Sequence, residues 1–221
     1  MIRYSEQHID HKDISSVIKT LKSNFITTGP QIQKFEEKLS KKVNSKYSVV
    51  FNSATSALHS ACIALGLKKN DWLWTSANSF VASANCGLYC GAKIDFLDIE
   101  LETFNIDLKK LEIKLQKAKK KLLPKIIVPV VFAGQSYDKD HLIILSKKYK
   151  FKILEDASHA LGAKYKNRSV GSCRDIITVF SFHPVKMITT GEGGSAHTSN
   201  KRYYNIMKSV SSHGIIRKKK N

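Results

Sequence analysis

The chain has 221 residues, enough for one sizeable hydrophobic core, and its 42% hydrophobic and 25% charged residues are typical of a globular protein. Its formal net charge is +19, but only five of its 37 basic residues are arginine. Dispersed lysines without arginine forks or interleaved aromatic residues argue against a nucleic-acid-binding module. The surplus charge fits an anionic small ligand or a general compositional bias instead.

The sequence also argues against membrane, secretory and metal-binding classes. No apolar run approaches the ~18 residues that a membrane-spanning helix needs, and the first ten residues lack the apolar core of a signal peptide. We therefore expect a cytoplasmic protein without a membrane partner. No second Cys or His pair accompanies Cys86 and Cys90 at ligand spacing, so we predict no metal site and expect all four cysteines to be reduced thiols.

Strand-like and helix-like segments alternate along the chain. Two helices are predicted first, over 10–22 and 31–42. Six apolar runs rich in β-forming residues then predict strands over 47–51, 71–76, 93–99, 125–132, 151–156 and 175–182. Between them, helices are predicted over 54–66, 79–90, 107–121 and 138–150, the last two capped by Asp107 and Asp138.

Continuous apolar strands separated by helices indicate an α/β fold with a largely parallel sheet covered on both faces. Ligands bind such folds at the carboxyl ends of the strands. Four stretches fall at those ends and carry the candidate site residues: "NSATSAL" (52–58), "ANSF" (77–80), "EDASHALGA" (155–163) and "SFHPVK" (181–186).

The turn that contains Ala54, Thr55 and Ser56 joins a strand to a helix with small and hydroxylated residues. Backbone amides at a helix N-terminus, together with hydroxyl groups, can bind a phosphate. An ordinary helix cap is the alternative interpretation. Phe80, which opens the next helix-like segment, either covers an aromatic ligand or belongs to the core.

Asp156 ends the strand "FKILED", where a partly buried carboxylate needs a cationic partner. A protonated pyridine nitrogen is one such partner, and an Arg or Lys ion pair is the alternative. His159 lies three residues further on and either reaches the same ligand or makes a structural hydrogen bond.

Lys186 follows an apolar strand, two residues after Pro184, and precedes a glycine-rich run. Burial or a cationic neighbour lowers the pKa of such an amine enough to make it a nucleophile. An amine, a carboxylate and a phosphate-binding turn that includes Ser181 together describe a candidate pyridoxal phosphate (PLP) site.

The chain resembles the DegT/DnrJ/EryC1/StrS family of sugar aminotransferases. The resemblance runs from Tyr4 to Arg217 and rests on motifs such as "FITTGPQIQKFEEKL", "NSATSALHSA", "DASHALG" and "FSFHPVKMITTGEGG". Several of these motifs are most similar to the branch that acts in pseudaminic acid biosynthesis. The family has the type I fold of PLP-dependent aminotransferases, in which the large domain is built on a mostly parallel seven-stranded sheet with flanking helices.

The resemblance also implies a role for each candidate residue. Lys186 would form a covalent aldimine with PLP and then act as the catalytic acid and base, while Asp156 would pair with the pyridine nitrogen. His159 would lie near the ring's phenolic oxygen, and Phe80 would stack on the ring. Residues implied for the phosphate and substrate pocket are Ala54, Thr55, Ser56 and Ser181. Residues implied for nucleotide-sugar binding are Tyr4, Asn24, Phe25, Ile26 and Thr27.

By the same resemblance, the amino donor is L-glutamate and the acceptor is a UDP-linked 4-keto-6-deoxy-N-acetylhexosamine. Residues 1–30 are expected to form an N-terminal segment and 31–221 the PLP-binding large domain. Family members continue beyond the end of this chain, so we expect the small C-terminal domain to be missing and a homodimer only at full length. Another 4-keto-sugar aminotransferase, or an inactive fragment that binds only cofactor or a partner, is the alternative. A sugar dehydratase is not expected, because that branch carries His at the position of Lys186.

Overall fold

A computed structural model of the protein describes residues 5–215. The helices are α1 (His11–Leu21), α2 (Pro30–Val43), α3 (Ala54–Ala64), α4 (Ala82–Leu88), α5 (Leu108–Lys117), α6 (Lys139–Tyr149) and α7 (Lys201–Val210). The strands are β1 (Tyr47–Phe51), β2 (Trp72–Ser76), β3 (Lys93–Leu97), β4 (Ile126–Val128), β5 (Lys152–Asp156), β6 (Lys164–Tyr165), β7 (Arg168–Ser169), β8 (Ile176–Ser181) and β9 (Gly194–Thr198). Two 3₁₀ turns span Lys120–Leu122 and Phe132–Gly134.

One seven-stranded sheet organises the fold, in the order β1-β9-β8-β5-β4-β2-β3. The strands from β8 to β3 pair in parallel, whereas β9 runs antiparallel to both of its neighbours, β1 and β8. The predicted mostly parallel sheet is therefore confirmed. Strands β6 and β7 form a separate antiparallel hairpin.

Helices cover both faces of this sheet. On one face, Trp74 and Phe180 from the strands pack with Leu111 of α5 and Leu142 of α6. On the other, residues of α3, α4 and α7 such as Leu58, Cys86 and Met207 pack against the strands. Because side chains alternate between faces along a strand, burial on both sides requires the continuous apolar runs seen in the sequence.

The predicted helices and strands form, and some are shorter than predicted. Asp107 and Asp138 cap α5 and α6 through their side chains, as predicted. The apolar run 125–132 is a ladder strand only over β4, because Pro129 has no N–H to continue the pairing. The segment 79–90 is helical only over α4, since residues 79–81 form the turn that leads into it.

Helix α1 buries none of its residues. Its N-cap Asp10 accepts hydrogen bonds from the amides of Lys12 and Asp13, so the helix is locally well started. Within residues 5–215, no helix combines the length and apolarity that a membrane span requires. The expected division between residues 30 and 31 stays a prediction, and α2 begins at Pro30.

Candidate functional site

The turn between β1 and α3 presents helix amides at the carboxyl edge of the sheet. Ser53 is the N-cap of α3, and its Oγ accepts a hydrogen bond from the Ser56 amide at 3.1 Å. The first amides of a helix, here those of Ala54 and Thr55, have no carbonyl partner within the helix. The turn therefore offers donors and the positive end of a helix dipole to an anion.

Gly194 brings this turn against the end of β8. It is paired in register with Phe51 on β1 and with Ser181 on β8. A Cβ added at Gly194 would lie 2.4 Å from the Ala54 nitrogen, a distance that real Cβ atoms do not show. Glycine is thus required at position 194 for β9 to approach the α3 N-terminus this closely. The same contact brings Ser181, the partner of Gly194 on β8, to the α3 side of the candidate phosphate site.

Asp156 ends β5 with its carboxylate buried, and the residue is only 4% exposed. Its Oδ2 accepts a hydrogen bond from Ser83 Oγ at 2.6 Å. Its Oδ1 accepts from the Ser158 amide at 3.1 Å and from Ser158 Oγ at 2.6 Å. Among the described residues, the hydrogen-bond partners of Asp156 are serines and not the arginine or lysine of the alternative interpretation, so its carboxylate is available to a cationic ligand group.

The neighbouring Glu155 faces the other side of the sheet and cannot serve this site. It is fully buried and forms an ion pair with Lys139 at 2.6 Å. Tyr137 Oη and Thr178 Oγ1 each donate a hydrogen bond to it at 2.9 Å. Strand alternation therefore decides which of the two adjacent carboxylates points towards a ligand.

Lys186 lies in the turn that follows β8, and its amide donates to the His183 carbonyl at 2.9 Å. The side chain is half-buried, and this burial lowers the pKa of the amine below its ordinary value. The Asp156 carboxylate lies close enough to act in the opposite direction and raise that pKa. A half-buried amine with a lowered pKa has more of its nucleophilic form near neutral pH.

The imidazole of His159 lies close enough to interact with both Lys186 and Asp156. Burial lowers its pKa first, and the Lys186 cation lowers it further, while Asp156 opposes both. Its Nδ1 accepts a hydrogen bond from the Ala133 amide at 3.4 Å, so a neutral ring carries its proton on Nε2. The Phe132 ring contacts the imidazole edge to face, with centroids 6.1 Å apart.

Phe80 and residues 24–27 are exposed and make no hydrogen bond to Asp156, His159 or Lys186 among the described residues. Phe80 is 74% exposed, so it is not a core residue, and its ring is free to cover a ligand. Residues 24–27 form an exposed loop after α1, and Tyr4 lies outside the described residues. The roles predicted for these residues in ligand binding remain predictions.

Sequence reasoning missed three contributors to the site. In the sequence, Gly194 is one of several glycines after Lys186. Its contact with Ala54 depends on the position of β9, which the sequence does not reveal. Ser83 and Ser158 were not singled out, although both bind Asp156. The Asp-x-Ser spacing of 156 and 158 is a local turn signal that could have identified Ser158. Ser83 is 73 residues away from Asp156 in the chain and gave no such signal.

The residues present fit PLP. They supply an amine for its aldehyde, a buried carboxylate held by serines for its ring nitrogen, and a helix N-terminus for its phosphate. The backbone of Gly194 packs directly against Ser53 and Ala54, so the turn that would hold the phosphate is fixed by this contact.

The described sheet and this site define a protein of the aminotransferase fold class. The profile of the DegT/DnrJ/EryC1/StrS aminotransferase family matches residues 7–221, and the chain belongs to that family. The family resemblance and the expected type I fold are thus confirmed.

Individual relatives are similar over nearly the whole chain. A UDP-4-amino-4,6-dideoxy-N-acetyl-beta-L-altrosamine transaminase of Campylobacter jejuni strain 81-176 is 45% identical over 219 residues, which are 99% of this chain and 57% of the relative. The structure of Helicobacter pylori PseC, an aminotransferase involved in the biosynthesis of pseudoaminic acid, superposes with a TM-score of 0.88 at 36% identity. That match covers 98% of this chain and 57% of PseC.

The Streptococcus pneumoniae protein Spr1654 in its PLP form also has a TM-score of 0.88, at 34% identity over 96% of this chain and 58% of that one. The chain therefore spans a little over half the length of the relatives it matches.

Proposed function

We propose that this chain binds PLP through Lys186 and serves in the transfer of an amino group from L-glutamate to a UDP-linked 4-keto-6-deoxy-N-acetylhexosamine. One observation carries the proposal. Within residues 5–215, Asp156 is a buried carboxylate whose hydrogen-bond partners are serines, and it lies close enough to the half-buried Lys186 to raise the pKa of that amine against the effect of burial.

Each residue of the candidate site would have a distinct role toward PLP. Bound at this site, PLP would supply an aldehyde and an electron-withdrawing ring. The Lys186 amine would hold the cofactor through that aldehyde and would carry protons at the substrate carbon. Asp156 would pair with the protonated ring nitrogen, and the amides of the α3 turn would bind the phosphate together with the hydroxyls of Thr55, Ser56 and Ser181.

Neighbouring aromatic groups would orient the ring. The neutral His159 would donate its Nε2 proton to the ring's oxygen, because its Nδ1 already accepts from Ala133. Phe80, which is 74% exposed, would cover one ring face.

The substrate assignment is supported by the Campylobacter jejuni transaminase, the relative at 45% identity. We propose that Tyr4 and the exposed loop residues 24–27 contact the nucleotide-sugar, and that the complete enzyme acts as a homodimer. Another 4-keto nucleotide-sugar remains the competing substrate, and direct assay of purified candidate sugars decides between them.

Reductive trapping tests the cofactor assignment. Protein incubated with PLP is reduced with borohydride, and mass spectrometry locates the attached group. We expect the label on Lys186, no label at that position in Lys186→Ala, and undiminished labelling of Lys186 in the control variant Lys201→Ala. Label elsewhere, or no label in the wild-type chain, would overturn the proposal.

The alternative function is binding of the cofactor or a partner alone. The chain would then bind PLP, or a partner, without completing transamination. Incubation with L-glutamate before reduction separates the two functions. If the amino group is transferred, 2-oxoglutarate appears and labelling of Lys186 falls. If the chain only binds PLP, labelling is unchanged.

A further inference from the structure

A chain of hydroxyl groups ends on the Asp156 carboxylate. Ser83 is fully buried, and its Oγ donates to Asp156 Oδ2 at 2.6 Å. Ser79 Oγ in turn donates to Ser83 Oγ at 2.6 Å. The single proton of Ser83 goes to the carboxylate, which can only accept, and the Ser83 oxygen accepts from Ser79, whose own proton is shared with the Phe80 carbonyl at 3.1 Å. Hydrogen bonds arranged in such a series polarise one another.

The backbone around Ser83 is held in place as well. Ser83 belongs to α4, its amide donates to the Phe80 carbonyl at 3.1 Å, and its own carbonyl accepts from Cys86 Sγ at 3.3 Å. The hydroxyl therefore projects from a fixed helix towards the end of β5. It restrains Oδ2, while Ser158 restrains Oδ1.

We propose that Ser83 is the positioning residue for Asp156. It holds the plane of the carboxylate and leaves lone pairs that the ring nitrogen of PLP would use. This inference rests on the proposed function. A carboxylate oxygen accepts more than one hydrogen bond, so the Ser83 bond and a bond from the protonated ring nitrogen are compatible. Ser79 supports the arrangement by fixing the direction of the Ser83 proton.

The test compares PLP with an analogue in which C–H replaces the ring nitrogen. Dissociation constants of both compounds are measured from the change in their absorption, without turnover. We expect Ser83→Ala to weaken PLP binding roughly tenfold, the loss of one hydrogen bond to a charged group, and to leave the analogue's affinity unchanged. Ser83→Thr keeps a hydroxyl and is expected to restore PLP binding.

Ser60→Ala is the matched control. Ser60 is also a buried serine on a helix of this face of the sheet, but its Oγ has no hydrogen-bond partner among the described residues. This substitution should leave the affinities for both compounds unchanged.

Equal weakening for PLP and the analogue would show a merely structural role for Ser83 and overturn the inference, as would unchanged PLP affinity. If Ser83→Ala does not fold, Ser79→Ala takes its place, with an expected loss of about threefold for PLP alone. Unchanged PLP binding by that variant would equally contradict the inference. Reductive trapping of the wild-type chain is measured first. If Lys186 takes no label, the proposed function itself fails. If Lys186 is labelled but Ser83→Ala binds PLP as tightly as the wild type, only the role of Ser83 is refuted.

Discussion

At the scale of single residues, the reactivity of Lys186 depends on two opposing influences. Burial removes water from the amine and favours its neutral form, and the Asp156 carboxylate favours the protonated form. The net shift is downward, so burial outweighs the carboxylate. Asp156 is therefore placed to hold a cationic ring nitrogen without fully restoring the basicity of the nearby amine.

Replacing Asp156 by Asn should lower the pKa of Lys186 further. The substitution removes the one influence that raises this pKa and leaves burial in place. The rate of acylation of Lys186 in the cofactor-free protein, followed by mass spectrometry against pH, should therefore reach half its maximum at lower pH in Asp156→Asn than in the wild type. Acylation of Lys201 in the same samples serves as the internal reference for the reagent. A midpoint that stays or rises would show that the two charges do not interact.

The sequence predicts that Asp156 and Lys186 lie at one edge of the sheet, because each ends or closely follows an apolar run and the carboxyl ends of parallel strands converge. In the structure, strand alternation directs Asp156, and not Glu155, towards the candidate site. The contact of Ser83 with Asp156 could not be predicted. It depends on how α4 packs against β5, and nothing local in "SFVAS" indicates that packing.

Among the strands and helices, β9 is one that the hydrophobic pattern of the sequence does not predict. Its sequence "GSAHT" contains one apolar residue besides glycine, yet all five residues are buried between β1 and β8. Its polar side chains are paired internally: His197 contacts Ser45 Oγ through Nδ1 at 3.1 Å and Ser195 Oγ through Nε2 at 2.9 Å. A strand that satisfies polar groups in the interior carries no apolar signal in its sequence.

The burial of His197 makes the fold sensitive to acid. Burial lowers the pKa of His197 to about 3, from an ordinary value of 6.5. Between these two values the unfolded chain binds a proton that the folded chain does not, so stability falls as pH falls below 6.5. This single group contributes a slope of up to about 1.4 kcal/mol per pH unit.

His197→Gln should remove that contribution, because glutamine has a donor and an acceptor but does not titrate in this range. Urea unfolding from pH 8 to pH 4 should show a shallower loss of stability in the variant than in the wild type. At pH 8 the variant should be less stable by about 1–3 kcal/mol, since the two serine contacts are imperfectly replaced. Parallel pH profiles for the two proteins would contradict this account.

At the scale of the whole molecule, the stability of the described fold comes from the two hydrophobic layers on either side of the sheet. Both include strand residues from across the sheet, and α2 to α7 pack on them, so we expect these parts to unfold together. Helix α1 contributes no buried residue to either layer. Its apolar residues Ile14, Val17, Ile18 and Leu21 are all exposed, and none of its residues is buried.

Replacing Val17 and Ile18 together by Thr should therefore leave the stability of the folded chain almost unchanged, within about 0.5 kcal/mol, because no buried contact is lost. The matched comparison is Leu58→Ala, which empties a fully buried site in α3 and should cost about 2–5 kcal/mol. Both are measured by urea unfolding at one pH. A loss for the α1 variant as large as that for Leu58→Ala would mean that α1 packs on the sheet domain in solution. It would also contradict the predicted division of the chain between residues 30 and 31.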